Sequence, residues 1–436
     1  MRYPFVSIII PTHNRSTLLL QNLYQLASQR YPLENLEVIV VTDGCDDHTA
    51  GLIRDCSFPF SIKVIEQDLQ GPAMARNHGA QFAIGDYLIF IDDDIEADQN
   101  LVTAHIDAQL KQANQVIIGY LPPILQVQTG YFREELRGWW ESMFSVMLVP
   151  GYRYRYSNLL TGNFSIPAHL FKKVSGFDPQ FYCHEDYELG WRLIKHGAAF
   201  KYVPEAWGYH HENTLLERTL LRKQAEGKAD VLLARKHPEL LPILQLSRLV
   251  NFGNKLWQFY YRFAFDQPMI GDRFSDFLLK WMNRLEDMQL YYRWRNVLEA
   301  LLVFNYLKGV ASMIPTRKEW LEFIEANQKP GGWQPTFVTV DLAQGISAAE
   351  KFLDQHKPDA VRFVYGSTIL REEVAYPGVE PIRGEHLSVY LAYVLRDPYL
   401  KSVVRPELDT ASQDDGFFKK LIDDHLSRID PNEKPI

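Results

Sequence analysis

Three consecutive aspartates, Asp92, Asp93 and Asp94, follow directly on the apolar run Leu88–Ile91 in the stretch "DYLIFIDDDIEAD". Carboxylates this close raise one another's pKa unless a cation or hydrogen-bond donors offset them. A bound divalent metal is the sharpest answer, and an acidic turn lying in solvent after a buried strand is the plain one. A second acidic pair, Glu185 and Asp186, stands in "FYCHEDYELGWRL" just ahead of a helical pattern. Carboxylates are stabilised by the dipole and free N–H groups of a helix N-terminus, so spacing alone favours a capping role there.

The elements that must position these groups can be read around them. "FVSIII", "LEVIVVTDG", "FSIKVIEQ" and "DYLIFIDDD" read as four strands. "RSTLLLQNLYQLASQ" and "GPAMARNHGAQFAIG" read as helices between them, the first with helical spacing at Leu19, Leu23 and Leu26. Such alternation predicts an α/β, doubly wound sheet whose ligands bind beyond the carboxyl ends of its strands. Thr12, His13 and Asn14 follow the first strand, Asp43 and Gly44 the second, and the aspartates the fourth, so one crevice collects them.

Length and composition limit what that crevice serves. At 436 residues the chain has room for two or three domains, and 46% hydrophobic with 23% charged residues is an ordinary globular balance. A net charge of -8 argues against nucleic acid as the partner. Cys45, Cys56 and Cys183 have no metal-site or paired spacing, which suits a reducing compartment. Neither an export leader nor a membrane span is expected, because the first apolar run is short and "NVLEALLVFNYLKGVASMI" is interrupted by Glu299, Asn305 and Lys308. A cytoplasmic location follows, with peripheral contact at the inner membrane face as a variant of it. No G-x-G-x-x-G follows the first strand and no P-loop occurs, so a nucleotide must be held some other way.

In order, "VSIIIPTHNR", "VIVVTDGCDDHT", "GPAMARNHGA", "LIFIDDDIEAD", "LLTGNFSIPAHLFKKVSGFDPQFYCHEDYELGWRLIKHG" and "WGYHHENT" resemble the family 2 glycosyltransferases of GT-A fold over roughly the first 230 residues. The resemblance implies a mixed GT-A sheet and an inverting, metal-dependent transfer of a sugar from a nucleotide sugar, most simply a UDP-sugar, to a carbohydrate or lipid-linked acceptor. It implies Asp94 as a ligand of Mg²⁺ or Mn²⁺, with Asp92 facing the ribose or the phosphates. His210 or His211 would add an imidazole, and on a strand only one of two neighbours can face the site. Pro11, Thr12, Asn14 and Asp43 resemble the base and ribose clamp, and Arg76 the basic residue sent towards the nucleotide. Asp186 would be the general base and Glu185 an acceptor-binding neighbour. Gly162 and Asn163 would floor the acceptor site, and Trp140 could stack on a sugar ring, although aromatic residues at this spacing often belong to a core. Arg218 and Arg222, four apart on one helix, could meet a phosphate or simply face solvent.

Three competing readings are weaker. A processive membrane synthase is disfavoured because Gln289 and Arg293 in "QLYYRW" are one residue too far apart for that group's motif and no spanning helices are expected. A nucleotidyltransferase lacks its Gly-rich loop, and a non-catalytic scaffold would have no need of intact "DDD", "HED" and "HH" together. The domains expected are a transferase domain over 1–240 and a helical region over 241–327 serving acceptor or membrane-surface association. A small α/β module over 336–436 follows the linker "QKPGGWQP", with dimer formation as one use for it.

Overall fold

Strands β1 (Val6–Thr12), β2 (Leu36–Asp43), β3 (Ser61–Gln67) and β4 (Tyr87–Ile91) form where the alternation predicts them. They run parallel in the order β3-β2-β1-β4, with α1 (Ser16–Leu26), α2 (Thr49–Arg54) and α3 (Pro72–Phe82) as crossovers. β2 is buried along its whole length and β1 at every residue but Pro11, as continuous apolar strands are when helices cover both faces. This computed structural model describes residues 3–125, 130–250, 259–328, 336–374 and 376–408.

Beyond β4 the sheet becomes mixed. β8 (Asn163–Pro167) is antiparallel to β4, and β6 (Gln115–Tyr120) is antiparallel to β8. β9 (Ala199–Glu212) then runs parallel to β6 and, past a register shift at Tyr120, pairs with β5 (Ile95–Ala97) and β7 (Pro123–Leu125). The long β9 thereby brings His210 opposite Ile95, one residue after the last aspartate. This is the mixed, curled sheet with flanking helices that a GT-A fold requires.

Helix α3 begins at Pro72 after Gly71, whose φ of 90° suits glycine. Its Gly79 lies so close to the sheet that a Cβ there would meet the Ile9 Cγ2 at 2.6 Å. That approach seats the helix face that also carries Arg76. Helices α4 (Leu101–Gln109), α5 (Tyr131–Ser145), α6 (Ala168–Lys173) and α7 (Glu185–Lys195) complete the surround of the sheet. They are followed by α8 (Leu216–Lys236), α9 (Gln245–Val250), α10 (Pro268–Asp287), α11 (Tyr291–Met313) and α12 (Arg317–Gln328), with α8 packed along α11.

All of these belong to one unit, Met1–Trp333 with Tyr376–Glu380. A second unit, Gln334–Ala375 with Pro381–Ile436, holds a three-stranded sheet of β10 (Phe337–Asp341), β11 (Ala360–Tyr365) and β12 (Thr368–Val374). It also holds α13 (Ile346–His356), α14 (Gly384–Val389) and α15 (Arg396–Leu408), around a core of its own that includes Leu353, Phe363 and Leu387. The expected linker lies, from Lys329 on, outside the described residues. No single described helix is long and apolar enough to cross a membrane.

Candidate active site

The three aspartates at the end of β4 are compensated one by one. Asp92 takes the Arg76 guanidinium at 2.6 Å. Asp93 accepts from the Thr12 hydroxyl at 2.7 Å and from Arg15 at 3.0 Å. Asp94 accepts from the same Arg15 nitrogen at 2.7 Å through Oδ2, while its Oδ1 stands 3.5 Å from His210 Nε2. Burial pushes the Asp93 carboxyl up to about 6, against the opposing pull of Arg15 and Thr12. For Asp94 burial acts upward too, but His210 and Arg15 outweigh it and hold the carboxyl below its ordinary range.

Arg76 joins this cluster to the second acidic pair. Its side chain is 4% exposed, lies over the Phe177 ring, and donates through its other terminal nitrogen to Glu185 at 3.1 Å. Glu185 opens α7, preceded by His184 in left-handed conformation with φ 61°. Burial and the adjacent Asp186 push the Glu185 carboxyl up to about 7, with Arg76 opposing. Burial also raises Asp186, whose Oδ1 accepts from the Tyr187 N–H within its own helical turn. Glu185 is thus held by a cation, whereas among the described residues no side chain hydrogen-bonds Asp186. Below them His184 lies 3.2 Å from Asp230 of α8 and stacks on Tyr187.

At the first two strand ends the expected clamp residues do structural work as well. Asp43 accepts from Gln67 at 2.9 Å and from the backbone N–H groups of Gln70 and Gly71 at 2.7 and 2.8 Å, which shapes the loop into α3. Asn14, in left-handed conformation, accepts from the Asp46 N–H at 2.9 Å and ties the two loops together. Pro11 is half-buried beside Val41, and Thr12 reaches Asp93.

Strand alternation separates the two histidines. His210 faces Asp94 and Glu212, whereas His211 turns to Glu96 at 3.1 Å, away from the aspartates. The expectation for His211 as a metal ligand is corrected accordingly. The His210 ring lies 4.8 Å from that of Trp140, whose indole N–H donates to Glu212 at 3.0 Å. Asp94 Oδ1 and His210 Nδ1 are both buried without a hydrogen-bond partner. Among the described residues no group of three or more His, Cys, Asp or Glu is placed to share an ion. A carboxylate and an imidazole with unused atoms still fit a divalent cation of the kind that completes its shell with substrate phosphates and water.

Gly162 stands where a Cβ would come within 3.0 Å of Asp92 Oδ2, so its lack of a side chain leaves that carboxylate room. Asn163 is fully buried instead, its amide bound to His105 at 2.8 Å and to the Ala206 carbonyl at 2.8 Å. It supports the sheet from behind, which corrects its expected part in holding an acceptor. Flanking the acidic pair in sequence, His184 and Tyr187 line a cavity of about 750 Å³ whose walls also include Trp139, Trp140, Tyr156 and Arg222. Another cavity, of about 740 Å³, opens at the opposite edge of the sheet beside Tyr3, Asp86 and Tyr87, remote from these acids.

Two participants escaped the sequence reading. Arg15 is the cation that actually faces Asp93 and Asp94, and its only signal was to be the one basic residue in the loop after β1. Glu212, which orients both Trp140 and Thr214, gave no signal beyond following the histidines.

Residues 7–174 match the family model described as Glycosyl transferase family 2, and residues 141–214 match one described as N-terminal domain of galactosyltransferase. Residues 7–174 therefore carry a family 2 glycosyltransferase domain. The chain is 33% identical over 273 residues to validoxylamine A glucosyltransferase of Streptomyces hygroscopicus subsp. jinggangensis, covering 55% of this chain and 63% of that one. It is 26% identical over 256 residues to pre-mycofactocin glycosyltransferase of Mycobacterium tuberculosis, covering 56% and 50%. The chain therefore spans less than two thirds of either relative. Among solved structures, the mannosyltransferase PcManGT from Pyrobaculum calidifontis, in complex with GDP-Man and Mn²⁺, superposes with a TM-score of 0.49 at 14% identity, covering 72% of this chain and 88% of that one.

Proposed function

We propose that this family 2 glycosyltransferase is an inverting, metal-dependent enzyme that moves a sugar from a nucleoside diphosphate sugar, in the first instance a UDP-sugar, to a hydroxyl of a carbohydrate or lipid-linked acceptor. One observation carries the reading: a single buried guanidinium, Arg76, spans from Asp92 in the acidic cluster to Glu185 in the second pair. That distance suits a site where donor diphosphate and acceptor hydroxyl meet around one anomeric carbon.

Asp94 and His210 would hold Mg²⁺ or Mn²⁺, which supplies positive charge to the diphosphate as it leaves. Asp186 takes the proton from the acceptor hydroxyl as that oxygen forms its bond to the anomeric carbon. The bond from that carbon to the phosphate oxygen breaks on the opposite face, and a single displacement with one base inverts the centre. Glu185, anchored by Arg76, keeps its neighbour in place. Asp43, Thr12, Asn14 and the backbone at Pro11 would receive the base and ribose, and Asp92 would face the ribose or phosphates. A cytoplasmic site of action, peripheral contact with a membrane and dimer formation through the second unit belong to this proposal.

Calorimetric titration of the full chain with UDP, GDP, CDP and dTDP, each with and without Mn²⁺, tests it. One nucleotide binding only in the presence of metal supports the reading. Binding of none of them removes it.

A further inference from the structure

The cavity beside Asp186 has an uneven charge account. Four of its lining residues are acidic, and each already has partners within the fold. Glu212 accepts from Trp140 and from the Thr214 N–H, and Glu226 is shared between Lys223 and Arg222. Asp230 is held by Tyr306 and His184, and Glu135 by Tyr291. The cations are not balanced in the same way. Arg155 and Arg248 also line the cavity, and among the described residues neither has a carboxylate within ion-pair distance.

Arg155 adjoins Tyr156 in sequence, and both line the cavity together with Arg248. Burial and Asp230 push the Tyr156 hydroxyl up, and the groups that oppose them are Arg248 and Arg155, so both guanidinium groups act on one point. Tyr156 in turn packs edge-on against Tyr187, the residue after Asp186, at 5.7 Å between ring centroids. An acceptor lying in the cavity therefore meets aromatic surface at Trp139 and Trp140 and two guanidinium groups that have no carboxylate partner among the described residues, while Asp186 stands in sequence between the wall residues His184 and Tyr187. Planar guanidinium forks select oxyanions, whereas a cationic acceptor would need a free carboxylate that the cavity does not offer.

We infer that the acceptor carries an oxyanion, a phosphate or a carboxylate, which Arg155 and Arg248 bind while the hydroxyl to be glycosylated faces Asp186. The inference rests on the transferase reading above and names its acceptor class.

The test uses the full chain with Mn²⁺ and the nucleotide that binds best, titrated with glycerophosphate, glucuronate and methyl glucoside. At least one anionic probe should bind about tenfold or more tighter than methyl glucoside, and the stronger anion identifies phosphate or carboxylate. The double variant Arg155→Gln/Arg248→Gln should lose that preference while nucleotide binding is retained, and both side chains are exposed enough for the variant to fold. Equal affinities, a preference that survives in the variant, or no anion binding at all each overturn the inference. The nucleotide titration separates the two failures: nucleotide binding without anion binding defeats only the acceptor class, whereas loss of nucleotide binding in the unaltered chain defeats the transferase reading.

Discussion

Arg76 and Glu185, 109 residues apart in sequence, meet at 3.1 Å inside the fold, and the same guanidinium holds Asp92 at 2.6 Å. Removing a buried cation that two carboxylates share leaves both uncompensated, a change that typically costs about 3–5 kcal/mol. Arg76→Gln is therefore expected to lower the unfolding free energy by about that much. Denaturant titration measures it, and a loss within about 0.5 kcal/mol, the range of ordinary surface changes, would contradict the bridge.

Asp186→Asn keeps the shape of the base and removes its proton affinity. Transfer should fall by about 10²–10⁴-fold, the usual contribution of a positioned general base, with nucleotide affinity unchanged. Initial rates combined with calorimetry distinguish this from a folding defect, and full activity in the variant would remove Asp186 from the reaction.

The Glu185 and Asp186 carboxyls both lie above their ordinary range, Glu185 at about 7, because they are buried side by side. A base must be ionised to accept the acceptor proton, so kcat/KM is expected to fall as pH drops through the raised apparent pKa of the pair, above the ordinary carboxylate range. Arg76 favours the ionised forms, and its substitution should move that acid limb upward. A profile that stays flat down through the ordinary carboxylate range would argue against the pair.

His210 and His211 should behave oppositely. His210→Ala is expected to weaken metal-dependent nucleotide binding by about tenfold or more, on the scale of lost metal-site groups, whereas His211→Ala should leave it unchanged. Titrations of UDP with and without Mn²⁺ for both variants decide the matter. The reverse pattern would mean that the strand is turned the other way.

A separate network makes acid stability testable. Glu188 of α7 is fully buried, and although burial raises its carboxyl, His237, Arg192 and Lys236 together hold it well below the usual range. A carboxylate with a depressed folded-state pKa stabilises the fold above its unfolded value, near 4.3, and that contribution is lost as pH falls below it. Glu188→Gln should therefore lower stability at neutral pH and flatten its decline in acid, as thermal unfolding across pH would show.

Strand and helix order in the first half was legible because buried parallel strands and amphipathic helices leave different periods, and β1 to β4 fall where those periods put them. The acidic cluster and the pair before α7 were legible for a similar reason, since polar residues at strand and helix ends stand out against apolar runs. The choice between His210 and His211 was not, because it depends on the phase of β9 against β5, a pairing across more than 100 residues. Asn163 was misread because a buried amide that braces a sheet has the same residue type as one that grips a sugar. Arg15 went unnoticed because a lone arginine in a loop looks like a surface residue until the fold brings two carboxylates to it.

Trp140 belongs to two places at once, forming part of the cavity wall and lying 4.8 Å from the His210 ring. An acceptor that moves that indole on entering the cavity would press on the imidazole facing Asp94. By linkage the effect is reciprocal: if an acceptor tightens the hold on the cation by some factor, the cation tightens the hold on the acceptor by the same factor. Positive coupling of this kind would make the acceptor cavity fill more readily once the metal is held, and the metal harder to lose once the acceptor is in, without fixing the order of arrival.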